Sequence, residues 1–175
     1  MSTTEFIEKA TLNEGTALRF NAPEEGGSCA FLGEDGCTVH SDRPLACRLY
    51  PLARWTVGPG IEAFARGEGE PDSLGVFGTE GTVGEFLQGQ GIEEFFVATD
   101  RYLELFTRLS SIAGKIESGE YSAETLPTGN WMDTDAVISA AGKTVPESAQ
   151  AAMDLHIEII SGWLDGLEPT PRWPQ

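Results

Sequence analysis

Apolar residues recur at helical spacing through the second half of the chain. Ile92, Phe95, Phe96, Thr99, Tyr102, Leu103, Phe106, Leu109, Ile112, Ala113 and Ile116 form an i, i+3, i+4, i+7 series with charges on the opposite face. That pattern predicts a helix of about 25 residues ending near Gly119. Thr82 followed three residues later by Glu85 reads as a capping box, so a helix opens there, with Phe86 and Leu87 starting its apolar face and Gly89 and Gly91 breaking it. Asp133 is placed to cap a short helix through Ala141, and Pro146 opens a last one at or near its first position. The apolar face of that last helix is Ala149, Ala152, Met153, His156, Ile160, Trp163, Leu164 and Leu167. Near the start, residues 4–14 read as a short helix with Phe6, Ile7, Ala10 and Leu12 inward, and Ala17 to Phe20 as a short strand leading to a Gly26-Gly27 turn. From Trp55 to Gly84 the chain is rich in Gly and Pro and reads as ordered loop, with Trp55, Ile61, Phe64, Leu74, Val76 and Phe77 seeking burial. Residues 120–132 read as loop, and the Pro-rich tail from Glu168 as extended. The expected fold is mainly α, a single domain over 1–175 of about four to five helices, with main helices in 82–119 and 146–167.

Between these helices lies an irregular loop or short hairpin, residues 28–54, near the N-terminal third. It holds all three cysteines, Cys29, Cys37 and Cys47, and three of the eleven Lys and Arg residues, Arg43, Arg48 and Arg54. Thiolates are soft ligands suited to zinc, Cu(I) and iron–sulfur clusters. The spacing C-x7-C-x9-C has no close C-x2-C pair of the zinc-finger kind. If Cys29 to Leu32 and Cys37 to His40 were strands of a regular hairpin through Glu34-Asp35-Gly36, four strand residues would put the two thiols roughly 13 Å apart. Either this loop is not a regular hairpin or the two thiols do different jobs. Cys47 is expected on a short helix capped by Asp42, with Pro44 in its first turn and Pro51 stopping it. Arg43, four residues earlier, would share its face and stabilise a thiolate, with Arg48 and Tyr50 as further donors. The alternative is that the cysteines fill space as small apolar groups and the arginines tie the loop to backbone carbonyls.

The run C-A-F-L-x4-C-T-V-H-x2-R-P-L-A-C-R-L-Y-P resembles the second half of the signature of the YkgJ-type cysteine-cluster family. That family is described as zinc- or iron-chelating, or as Fe–S proteins, and is related to flagellin lysine methylases. The matching positions are Cys29, Phe31, Leu32, Cys37, Val39, His40, Arg43, Pro44, Cys47, Arg48, Tyr50 and Pro51. The resemblance implies a zinc or iron–sulfur centre held by Cys29, Cys37 and Cys47, with His40, Asp35 or Asp42, a water or a partner chain as fourth ligand. Arg43, Arg48 and Tyr50 would surround it. Family members usually carry an earlier C-x2-C…C-C cluster. No cysteine precedes Cys29 here, so either an upstream segment is missing or the ligand set is reduced. His156 is read as a core histidine bonded to a carbonyl or carboxylate, with a distant ligand role as the alternative.

Composition narrows the rest. A net charge of −17 and a pI near 4.3 disfavour nucleic acid and anionic membrane surfaces. No apolar run is long enough for a membrane span, and the N-terminus lacks the basic start and apolar core of a signal peptide. Three cysteines do not make a disulfide scaffold, so a reducing cytoplasm is the expected location. The glycine-rich stretches match no phosphate loop, and no nucleophile elbow is present. The function expected is a cytoplasmic metal-binding protein of unassigned role. A cluster-dependent oxidoreductase or protein-lysine methylase, and a metal-free helical interaction module, are the alternatives. A protein partner stays open.

Overall fold

The computed structural model describes residues 1–19, 27–58, 61–68, 78 and 80–167. Residues 20–26, Pro59 and Gly60, residues 69–77 with Leu74, Val76 and Phe77, Thr79 and the residues beyond Leu167 lie outside that description. Among the described residues there are six α-helices and three two-stranded antiparallel sheets. A mainly α fold is therefore observed, with more strand than the sequence suggests. Among the described residues, no helix is long and apolar enough to cross a membrane. The chain divides into two compact units, Met1–Thr38 with Glu104–Gln175, and Val39–Leu103.

The first unit carries most of the core. Helix α1 (Thr3–Ala10) opens with a capping box, Ser2 and Glu5. Strands β1 (Thr11–Leu12) and β2 (Ala17–Leu18) pair across a tight turn in which Asn13, Glu14 and Gly15 all have positive φ. Leu12, expected inward, is exposed there, because the turn begins immediately after it. Helix α5 (Thr134–Ala140) is capped by Asp133 as the sequence predicts. Helix α6 (Ala149–Asp165) is capped by Ser148, so Pro146 lies two residues before the cap rather than inside the helix. Helix α5 packs on both α1 and α6. The buried side chains Ala10, Leu105, Val137, Ile138, Met153, Ile159, Ile160, Leu164 and Leu167 make the core, with Ile138 and Ile160 fully buried. Each buried isoleucine contributes about 1.5–3 kcal/mol by leaving water.

The N-termini of α1 and α5 satisfy one another. Thr3 N donates to Asp135 Oδ2 at 2.7 Å, the Thr3 hydroxyl donates to Asp133 Oδ1 at 2.7 Å, and Asp135 N donates back to that hydroxyl at 2.9 Å. Asp133 Oδ1 also accepts from Ala136 N at 3.1 Å. Two sets of orphan helix N–H groups are met by carboxylates placed at the positive ends of both helix dipoles.

The second unit contains α2 (Leu45–Leu49), the hairpin β5 (Leu52–Gly58) with β6 (Ile61–Arg66), α3 (Val83–Gln90) and the start of α4 (Glu93–Glu117). Helix α3 has the predicted Thr82–Glu85 capping box and ends at Gly91 in the left-handed region. Helix α4 has the predicted length of 25 residues, but its buried face is rotated slightly. Leu105 is buried, and Phe106, expected inward, is exposed. The β5–β6 hairpin replaces the loop expected after Trp55. Its pairs include Arg54 with Phe64 and Trp55 with Ala63.

Among the described residues this unit buries only Leu49 and Ile92 as apolar side chains. Two arginines compensate. The Arg48 guanidinium lies 4.7 Å from the centre of the Phe95 ring, and that of Arg54 lies 4.1 Å from the Phe96 ring. Phe64 stacks on Phe96 at 6.2 Å. Consecutive phenylalanines at the start of α4 thus each hold one cation, a contact worth about 0.5–2 kcal/mol depending on desolvation. Arg54, with its side chain 8 % exposed, also reaches Glu62 at 2.7 Å and Asp100 at 2.8 Å.

Candidate metal centre

Cys29 and Cys37 belong to the first unit, His40 and Cys47 to the second. Strands β3 (Leu32–Gly33) and β4 (Gly36–Cys37) form a hairpin with Glu34 and Asp35 at its turn, and Cys37 pairs with Leu32. Gly36 has φ of 105°, which a side chain would strain. Cys29 does not continue β3. Leu32 N donates to Cys29 O at 2.9 Å, so the chain turns back directly after Cys29, while Thr38 N closes on Phe31 O at 2.9 Å. The regular-hairpin geometry that separates the two thiols by a full extended run is therefore not the one adopted. Phe31, between them, stacks on Phe6 of α1 at 6.1 Å and fixes this loop to its unit.

Cys47 sits on α2, which begins later than the sequence suggests. Its N-cap is Pro44, without a side-chain cap, and Asp42 instead accepts from the Ser41 hydroxyl at 2.7 Å. Arg43 therefore precedes the helix, and the shared-face argument linking it to Cys47 does not hold. Leu49 anchors α2 by burial, and Tyr50 ends it, half-exposed, before the cis Tyr50-Pro51 bond. All three cysteines are thiols rather than disulfides. Cys29 is half-buried, whereas Cys37, Cys47 and His40 are exposed.

The arginines converge on the end of α3. Arg48 donates to Ser41 O at 2.5 Å, to Arg43 O at 2.9 Å and to Gln90 O at 3.0 Å. Arg43 Nη2 donates to Gln90 Oε1 at 3.1 Å, and Arg43 Nε is buried with no hydrogen-bond partner. Gln90 and Phe95 are participants the sequence reading missed. The available signal was Gly91: a glycine after a helical run marks exposed C-terminal carbonyls, which attract a cation.

His156, 2 % exposed in α6, hydrogen-bonds through Nε2 to the Trp131 carbonyl at 3.0 Å. A carbonyl only accepts, so Nε2 carries the proton. Burial pushes its pKa below the ordinary histidine value, outweighing the carbonyl and Asp133. It takes the core role expected of it.

Thiolate and imidazole are the donor types zinc and iron favour. Among the described residues, no three Cys, His, Asp or Glu side chains are grouped so that they could hold a metal ion. No curated protein and no solved structure matches the chain. A family model named CxxCxxCC, described as a "putative zinc- or iron-chelating domain", matches residues 1–70, a span that contains all three cysteines and the arginine-bound loop but no C-x2-C pair.

Proposed function

We propose that this chain chelates zinc or iron through the thiolates of Cys29, Cys37 and Cys47. His40 is a further candidate donor, and Arg43, Arg48 and Tyr50 are the polar groups around the motif. The observation that carries this reading is the exposure of Cys37 and Cys47, within the span matched by the chelating-domain model. An unpaired cysteine kept for packing is ordinarily buried. An exposed thiol fills no core, so its value is chemical. The metal, when bound, supplies Lewis-acid or redox character, according to whether it is zinc or iron. A reducing, cytoplasmic setting suits three cysteines that form no disulfide, and a charge of −17 suits a cationic ligand better than a phosphate backbone.

Competition against a chromophoric zinc chelator tests the reading. Reduced wild-type protein withdraws zinc from the chelator, and a variant with all three cysteines changed to serine does not. Equal withdrawal by both proteins would overturn the assignment. Because metal binding displaces thiol protons, the wild-type affinity also falls as pH is lowered.

A further inference from the structure

We propose that the C-terminal half of α4 is a docking face for a second copy of this chain, with the Phe106 ring of each copy seated over Gly114 of the other. The inference is independent of the metal.

At 25 residues α4 is the longest described helix, yet Leu105 is its one buried residue. Amphipathic helices draw most of their stability from packing, so exposed faces on so long a helix are informative. Leu105, Leu109, Ile112 and Ile116 repeat at i, i+4, i+7 and i+11 and form the inward stripe, buried or half-buried. The outward face holds Phe106, Thr107, Ser110, Ser111, Ala113 and Gly114, all exposed and none charged. Phe106 is 64 % exposed, and a Cβ at Gly114 would meet no atom within 4 Å. All of Glu104–Glu117 belongs to the first unit.

A ring projects from one end of this face and a hollow lies open at the other. Ser110 is midway, four residues from each. A two-fold axis through Ser110, perpendicular to the helix, lays two copies antiparallel and puts each Phe106 on the other copy's Gly114. That reciprocity is what a self-complementary contact requires. Charge follows the same axis. Glu104 and Lys115 are eleven residues apart, about three full turns, so they share one edge of the face. Glu104 lies six residues from the axis and Lys115 five, so each Glu104 falls level with the other copy's Lys115 to about 1.5 Å. The Tyr121 ring, 5.3 Å from Lys115 Nζ, holds that lysine at the edge. Arg108, further round, is bonded to Asp165 of α6. Glu117 ends the face, and its two copies stand about 21 Å apart along the axis. A chain of charge −17 repels its like over most of its surface. This uncharged face, edged by two cross-pairs, is where a second copy can approach.

Sedimentation of the full chain, in reductant and EDTA to exclude copies joined by disulfide or metal, tests the proposal. One helix pair is a small interface, so association is expected in the micromolar range. Between about 1 and 100 µM, wild type shifts from one chain of 18.8 kDa towards twice that mass. Phe106→Glu stays monomeric. Gly114→Gln also stays monomeric, and its thermal midpoint does not fall, because the position is open and glutamine is the better helix former. Glu104→Lys and Lys115→Glu each weaken association about 5- to 10-fold, two exposed pairs being lost at once. The double variant recovers most of it. A wild type that stays monomeric overturns the proposal and leaves the face to a different protein. A dimer that survives both Phe106→Glu and Gly114→Gln is built on another surface and overturns it as well. Failure of the double charge reversal to recover association overturns the antiparallel register.

Discussion

Removing the Asp133 carboxylate uncouples two helices at once. Asp133 is 6 % exposed, and its Oδ1 accepts from the Ala136 backbone of α5 and from the Thr3 hydroxyl of α1. Asp133→Ala deletes an N-cap, worth about 1 kcal/mol. It also strands the Thr3 hydroxyl, about another 1 kcal/mol, and removes a charge at a helix N-terminus, about 0.3–1 kcal/mol. The sum is roughly 2–3 kcal/mol, or about 5–10 °C in thermal midpoint for a chain of this size. Asp133→Asn keeps the acceptor and loses only the charge, so it falls by roughly 1–4 °C. The pH dependence carries a further signature. Burial pushes the Asp133 pKa upward, but hydrogen bonds from Thr4, Thr3, Ala136 and Asp135 outweigh it and hold the carboxyl below its ordinary value. A depressed folded pKa gives stability that is present above the unfolded value, near 3.9, and is lost as pH falls through the folded one. Thermal melts by circular dichroism between pH 7 and pH 3 should show the wild-type and Asp133→Asn curves converging below about pH 4. A midpoint for Asp133→Ala within 1 °C of wild type, or a gap to Asp133→Asn that ignores pH, would refute this account of the shared cap.

Two further outcomes follow from buried groups elsewhere. Asp100→Ala should lower the denaturant midpoint more than Arg54→Met does, because the first leaves a nearly buried cation short of a partner while the second removes the cation and leaves carboxylates on side chains that are about 40 % exposed; the reverse order would show that the ion pairs matter less than the cation–aromatic contact. Burial depresses the His156 pKa, so its contribution is complete above about pH 6.5 and declines as pH falls below that value. His156→Gln should flatten the stability slope between pH 7 and pH 5, and an unchanged slope would place the acid sensitivity elsewhere.

Helix content was legible where local chemistry and periodicity agreed. The Thr82–Glu85 box, the Asp133 cap and the extent of α4 could all be read from spacing. The β5–β6 hairpin could not, because its pattern is inverted. Its inward positions include Arg54 and Thr56, while Ala53, Trp55, Ile61, Ala63 and Ala65 face outward, with Trp55 65 % exposed. A polar inner face satisfied by ions and rings defeats a rule that looks for apolar alternation. At the motif, the residues were identified but not their geometry. Asp42 does not cap α2, because the helix begins at Leu45 with Pro44 as its N-cap, two residues beyond Asp42. Gln90 was invisible because its role depends on a contact 47 residues distant in sequence.

The central claim is that the thiols of residues 29–47 hold a metal. Its most direct test is elemental analysis with a visible spectrum of anaerobically purified protein, wild type beside Cys47→Ser. The account predicts near-stoichiometric zinc with a flat visible spectrum, or iron with broad absorption around 400 nm, and loss of that metal in the variant. A folded wild-type protein without zinc or iron, or a metal content unchanged by Cys47→Ser, would contradict it.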